Sequence, residues 1–547
     1  MPSRLIASVL TALTLAPILS AGEMLPASKP IEEVIDHYVN ARLAADGITP
    51  AAQADDATLI RRLTLDLCGR ITTMAETRGY VDSKDPAKRV KLVDRLMASP
   101  SFVRQQATEF DVMLMQGASG SIRPYLQVAL SENRSWDRIF RDLMLPADAA
   151  LSAGKGKKNS GNGSAADFLH SRISDVDKLT TEVSVVFFGV NVSCARCHDH
   201  PLVPDWKQDH FFGMKSFFAR TIDVGGFLGE RDAGLVKFQT TKGQTKEARM
   251  MFLTGQVVDA PGMKEISKEE EKKEKEAIER AKKSKTPPAP PKFSARQKLV
   301  EIALRAENRD FFAKSIVNRL WARFYGYGLV NPVDQMHSEN PPSHPELMQW
   351  LARDTAEHGY DLRRLIRGLV LSKTYSRSSR WDAPGDLPLA KALAVARLKP
   401  LTPYQLAMAL RVATADPVQF EKLKPEELEK KLEAMDGGAR GMASLFEYPG
   451  DDFQVGVSEA LLFSNGDRIE KELLTDAGDR LLGRFKQLKD RKQQIQMAVS
   501  AILCHEATAE ESRALNDYLS RRSDRPAEAL RQMVWALLTS SEFRFNY

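Results

Sequence analysis

From Lys264 to Lys285 the sequence is dominated by lysine and glutamate, and it closes in Pro287-Pro288-Ala289-Pro290-Pro291. Glutamate and lysine four residues apart can hold a helix that buries nothing, and a proline run stops such a helix in an extended spacer. Residues 264–295 therefore read as a solvated Lys/Glu and Pro-rich linker. A chain of 547 residues is too long for one ordinary core, so it is expected to divide there. The expected units are a helical domain over 30–225, a small irregular or β segment over 226–263, and a second helical domain over 296–547.

Either side of the linker, apolar residues recur at helical spacing. Before it this holds for 31–45, 88–98, 101–115 and 136–145. After it the pattern covers 296–306, 311–324, 345–358, 362–371, 402–413, 426–434, 468–482, 492–503 and 527–538. Few alternating runs compete, although 235–239 and 250–258 can form a small sheet. The predicted fold class is mainly α. The segment 152–165, rich in Gly, Ser, Lys and Asn, reads as a surface loop, and its Gly154-Lys155-Gly156 lacks P-loop spacing.

The first residues carry Arg4, then a mostly apolar run over 5–19, then Leu19-Ser20-Ala21 before Gly22. Charge, short apolar core and small residues in that order predict a signal peptide over 1–21, hence an extracytoplasmic protein, periplasmic, secreted or at the cell surface, with no transmembrane span once the signal is removed. The formal charge of +6 is small for this length and no arginine-aromatic stripe accompanies it, so nucleic acid is not an expected partner.

Export changes how the four cysteines are read, because thiols outside the cytoplasm are usually oxidised, metallated or covalently attached. Cys68 and Cys504 stand alone. Cys194 and Cys197 belong to Cys194-Ala195-Arg196-Cys197-His198-Asp199-His200-Pro201. Two thiols three apart with histidine directly after is the attachment pattern of haem c. Cys194 and Cys197 would add to the vinyl groups and His198 would ligate the iron. His210 and Met214 are the nearest candidates for the opposite face, with Met336 and His337 more distant in sequence. The same residues admit zinc, held by Cys194, Cys197 and one or two of His198, His200 and His210. They also admit a plain Cys194–Cys197 disulfide.

A second string, Asn340-Pro341-Pro342-Ser343-His344-Pro345-Glu346-Leu347, invites an acid–base reading of His344 and Glu346, with Asn318, Arg319 and Trp321 able to approach. Ser343 followed three residues later by Glu346 reads instead as a capping box opening the next helix. No nucleophile elbow, zinc-protease helix or dinucleotide fingerprint occurs.

At this point the chain resembles a known pair of domains. Arg62-Leu63-Thr64-Leu65-Asp66-Leu67-Cys68-Gly69, Phe188-Gly189-Val190 and the 194–201 string are similar to the planctomycete cytochrome-like domain of unknown function, second of its kind. Val317-Asn318-Arg319-Leu320-Trp321, Gly326-Tyr327-Gly328-Leu329-Val330, the 340–347 string and the ending through Phe545-Asn546 are similar to its usual companion domain. The resemblance implies an exported bacterial protein, of planctomycete or verrucomicrobial type, found beside other cytochrome-like modules, and it implies no established activity. The functional expectation is a haem- or metal-binding protein with a redox partner or cell-surface components as partners. The alternatives are a structural or cell-surface protein stapled by zinc or a disulfide, and an enzyme acting on exported polysaccharide.

Overall fold

A computed structural model describes residues 24–146, 164–231, 233–261, 264–284, 290–449, 463, 466 and 469–547. The predicted signal segment and the loop over 152–163 lie outside these residues. The protein is mainly helical: among the described residues 56% are in helices and there is no closed sheet. Among the described residues the strands form three two-stranded antiparallel ribbons, one of them Thr221–Asp223 with Leu228–Glu230 and another Lys237–Gln239 with Thr245–Glu247. The third joins Lys399–Pro400 to Phe545–Asn546, next to the C-terminus.

Short polar side chains start many of the helices. Asp55 accepts from the Thr58 amide, and Thr73 and Glu76 form a reciprocal capping box, as do Thr508 and Glu511. The 345–358 expectation needs one correction. The helix is Pro345–Glu357, its N-cap is His344, and no side chain caps it, because Ser343 lies one residue too early and its hydroxyl pairs with His344 Nδ1 at 3.0 Å. The sequence pattern assigned no element to the 61–70 string, which forms the helix Asp56–Cys68. Every residue from Leu59 to Cys68 is buried, so no polar face advertises it.

Two hydrophobic clusters fill the molecule. The first runs from Ile31 to Ala394 and takes side chains from both sides of the charged segment: the helices Val176–Phe188 and Arg309–Tyr325 pack together in it, and Phe140, Phe187 and Phe312 meet there with ring centroids 4.7 to 6.5 Å apart. The second gathers residues from Leu401 to Phe543 around the helices Pro403–Thr414 and Arg491–Ile502, and it reaches back to Leu65 and Ile71. The charged stretch itself forms the helix Lys268–Ser284, tied to the body where Arg231 meets Glu274 at 2.8 Å.

The Asp56–Cys68 helix joins the two ends of the chain. The Arg61 guanidinium donates to the carbonyls of Glu542, Phe543 and Phe545, and that of Arg62 to the carbonyls of Tyr375, Arg377 and Tyr547. Asp66 receives the Lys399 ammonium, the Tyr375 hydroxyl and the Asn546 amide, each at 2.8 Å. The Arg-Leu-Thr-Leu-Asp string is thus a buried polar clamp on the C-terminal residues, with each charge paired or hydrogen-bonded as burial demands.

Candidate functional site

The helix Val176–Phe188 delivers the chain to the cysteine motif and stops at Gly189, whose φ of 69° is the left-handed conformation that ends helices. Its last-turn carbonyls are capped from the other half of the chain. Arg319 donates to Val185 O and Val186 O at 2.6 and 3.1 Å, and Ser315 to Val186 O at 3.0 Å. Burial, only partly opposed by the Asp334 carboxylate, lowers the Arg319 guanidinium to about 10. Asn318 exchanges two hydrogen bonds with the Val330 backbone at 2.8 and 2.9 Å. Asn318 and Arg319 therefore support the turn below the motif, and neither is hydrogen-bonded to His344 or Glu346.

A second strand of support comes from 335–338. Val190 bridges Gln335 antiparallel, the Met336 amide donates to Gly189 O at 3.0 Å, and Asp205 accepts from the Ser338 amide and hydroxyl at 2.8 and 3.1 Å. Met336 and His337, far from the motif in sequence, are thereby brought to its flank. The antiparallel pairing that does this spans 145 residues and leaves no local sequence signal.

Ser193–Arg196 is a 3₁₀ turn anchored by buried Val192 and Ala195, while Cys194 and Cys197 are both exposed and unpaired. Cys194 lies within this turn and Cys197 is the residue that ends it. Cys197 O is held by Gln208 Nε2 at 3.1 Å, and the Asp199 carboxylate accepts the Gln208 amide at 2.9 Å. The helix Gln208–Ser216 thus clamps the motif's C-terminal side.

Hydrogen bonds separate the three histidines chemically. A backbone N–H can only donate, so a ring nitrogen that receives one must offer its lone pair. His200 Nδ1 receives the amides of Leu202 and Val203 at 3.3 and 3.0 Å, and His210 Nδ1 receives that of Lys207 at 3.1 Å. Both neutral rings therefore carry their proton on Nε2. His198 is the reverse: its Nδ1 faces the Asp199 carbonyl at 2.7 Å, so Nδ1 carries the proton and the Nε2 lone pair points outward from an exposed residue. A backbone carbonyl fixing one ring nitrogen while the other stays open is the usual orientation of a metal-binding histidine. Burial and the neighbouring His337 and His198 rings hold His200 below its ordinary pKa, and burial does the same to His210.

A cavity of about 650 Å³ is walled by Trp206, His210, Leu253, Phe311, Met336 and His337 together with the charged Asp205, Asp310 and Lys314; Cys194, Cys197 and His198 are not among its lining residues. His337 Nδ1 is buried there with no hydrogen-bond partner. Met214 has no exposed surface and packs in the first hydrophobic cluster, and it is not among the residues lining the cavity. Among the described residues, the group of three metal-donor side chains whose ligand atoms lie within 4.8 Å of one another is His505, Glu511 and Glu542; Cys194, Cys197 and His198 do not converge in that way.

His344, the centre of the second string, is 4% exposed and lines a separate cavity of about 580 Å³ with its Nε2 unpartnered. Burial, with Arg42 nearby, lowers it to about 4, so its ring is neutral at ordinary pH.

Fold and site define a mainly helical protein in which a thiol–imidazole turn from the first half of the chain is buttressed by the second. Two family models match parts of those halves. Residues 34–223 match PSCyt2, described as a protein of unknown function (DUF1549), and residues 295–433 match PSD1, described as a protein of unknown function (DUF1553). No curated protein and no solved structure matches the chain. Among the described residues no helix is long and apolar enough to cross a membrane.

Proposed function

We propose that the protein is an exported carrier of covalently attached haem c, with Cys194 and Cys197 as attachment thiols and His198 as an axial ligand, serving electron transfer with a redox partner outside the cytoplasm. The observation that carries the reading is the contrast within the motif: two accessible, unpaired thiols, one in a 3₁₀ turn and one at its end, and a histidine whose Nδ1 is fixed by a backbone carbonyl and whose Nε2 is open. Zinc requires its ligands to converge on one point at about 2.0–2.3 Å. Haem would instead be held by thioether bonds to Cys194 and Cys197 with His198 donating to the iron, the residue order that the motif presents.

The surroundings also fit. A haem needs apolar walls, and the cavity next along the chain offers Trp206, Leu253, Phe311 and Met336 beside the charged Asp205, Asp310 and Lys314. Met336 and His337, which line that cavity, are the chain's candidates to hold the group from its other side. His210 presents a protonated Nε2, and Met214 is committed to core packing. Haem bound here would supply a one-electron couple. The chain's own contribution is to orient His198 through Asp199 O, to hold the turn through Gln208 and Arg319, and to exclude water on the cavity side.

The test is a visible spectrum and haem stain of the protein exported from a host with cytochrome c maturation, beside a Cys194→Ala, Cys197→Ala double variant. A Soret band that survives denaturation in the wild type and is missing from the variant supports the proposal. A colourless wild type would overturn it, and metal analysis of that sample would separate zinc from a disulfide.

A further inference from the structure

We infer that His505, Glu511 and Glu542 form a second, independent site for a first-row divalent cation of the zinc type, far along the sequence from the cysteine motif and of different donor chemistry. The three side chains come from three separate pieces of backbone: the loop after the helix Arg491–Ile502, the third position of the helix Ala509–Arg521, and the short helix Ser541–Arg544. Their ligand atoms all lie within 4.8 Å of one another.

Two of the three are oriented from outside the cluster. His505 Nδ1 faces the Glu506 carbonyl at 2.8 Å, so it carries the proton and turns Nε2 inward. Glu511 Oε2 is taken by the Thr508 amide and hydroxyl, both at 2.8 Å, which leaves Oε1 for the cluster. These are the outer partners that fix ligand direction in metal sites. His505 Nε2 lies 2.9 Å from Glu542 Oε1 and 3.8 Å from Glu511 Oε1. Tetrahedral ligands at about 2.1 Å from an ion stand about 3.4 Å apart, so the observed separations bracket what one bound ion would impose. One neutral imidazole with two carboxylates also balances the charge of a divalent ion, and the mixed nitrogen and oxygen set favours zinc or its first-row neighbours over calcium or magnesium.

Bound there, the ion would fasten the Ala509–Arg521 helix to the segment ending in Tyr547, the same segment that Arg61 grips through the carbonyls of Glu542, Phe543 and Phe545. Its role is structural: to lock the C-terminal clamp closed. The competing arrangement is a metal-free imidazolium–carboxylate bridge, and the two differ in stoichiometry and spectrum.

The experiment uses the full chain carrying Cys194→Ala and Cys197→Ala, stripped with chelator, so that the motif cannot bind metal and the two proposals fail separately. Titration with Zn²⁺ is expected to bind one equivalent and raise Tm. Co²⁺ is expected to give visible d–d bands of a low-coordinate site, and Glu542→Gln to abolish both. Glu511→Gln, which keeps the capping box, is expected to weaken binding at least tenfold without lowering the metal-free Tm. No bound equivalent, or binding unchanged in both glutamine variants, would overturn the inference.

Discussion

The four thiols differ in environment more than their chemistry suggests. Cys194 and Cys197 are exposed and unpaired, whereas Cys68 is buried and its thiol is pushed up to about 12 by that burial, and burial raises Cys504 as well. Thiolate is the reactive form, so access and ionisation act in the same direction. In protein made without haem maturation and kept reduced, a thiol-specific chromogenic reagent is expected to consume two thiols quickly and the other two only after denaturant is added. Rapid reaction of a third native thiol would contradict the burial of Cys68 or Cys504. His344 gives a pH prediction of definite sign. Its folded value of about 4 lies below the ordinary 6.5, so between these the unfolded chain binds the proton and the folded chain does not. The contribution is fully present above pH 6.5 and is lost as pH falls towards 4, about 3 kcal/mol in all. Urea midpoints measured from pH 7 to pH 4 should fall more steeply for the wild type than for His344→Gln. Parallel curves would show that the ring is not held neutral.

At the scale of elements, the join between helix and motif depends on Gly189. An alanine there must adopt φ near 69°, and its Cβ would sit 2.8 Å from Met336 Sδ. The left-handed strain alone costs about 1–2 kcal/mol, and the contact adds to it by displacing the 335–338 segment that flanks the motif. Gly243 has a φ of 73° with nothing within 4 Å, so Gly243→Ala carries the strain without the contact. Gly189→Ala is expected to lower Tm more than Gly243→Ala and also to alter Cys194 and Cys197 reactivity. Equal effects would mean that Met336 yields freely. The same junction explains what the sequence could and could not disclose. Cys194, Cys197 and His198 were legible because their spacing is chemically specific, and amphipathic helices such as Leu362–Leu371 were legible from period alone. The Asp56–Cys68 helix was hidden by burial on all sides. The pattern expected over 468–482 breaks into a single turn at Ile469–Leu473 and a short helix at Leu481–Phe485, because Ala415 bridges Arg480 and Asp416 takes up the Asp479 carbonyl between them. In the other direction, Pro425–Ala443 continues through Gly437-Gly438, where a Cβ on Gly438 would meet the Arg411 guanidinium at 2.4 Å. There a glycine inside the helix makes room for a side chain across the helix interface.

At the scale of the whole molecule, the charged segment links two halves that are not independent in their packing. Phe312, Val317 and Trp321 sit in the same cluster as Phe140, Phe187 and Phe188, and the last carbonyls before Gly189 are capped by Ser315 and Arg319. Removing residues 296–547 would uncover that shared surface and leave the Val176–Phe188 helix without its cap, while cutting the largely exposed Lys268–Ser284 helix, which meets the body through the part-buried Arg231–Glu274 pair, leaves the shared surface in place. One such ion pair contributes on the order of 1 kcal/mol, whereas a buried aromatic contributes several times that. Limited trypsin digestion, which finds its lysines in 268–284, is therefore expected to yield two fragments that co-elute as one particle and keep the melting transition within a few degrees. Residues 30–263 produced alone should be aggregated or molten, and recover only when 290–547 is co-produced. Fragments that separate on the column and each melt cooperatively would instead establish two self-sufficient domains, and would remove the buttress on which the geometry of the cysteine turn depends.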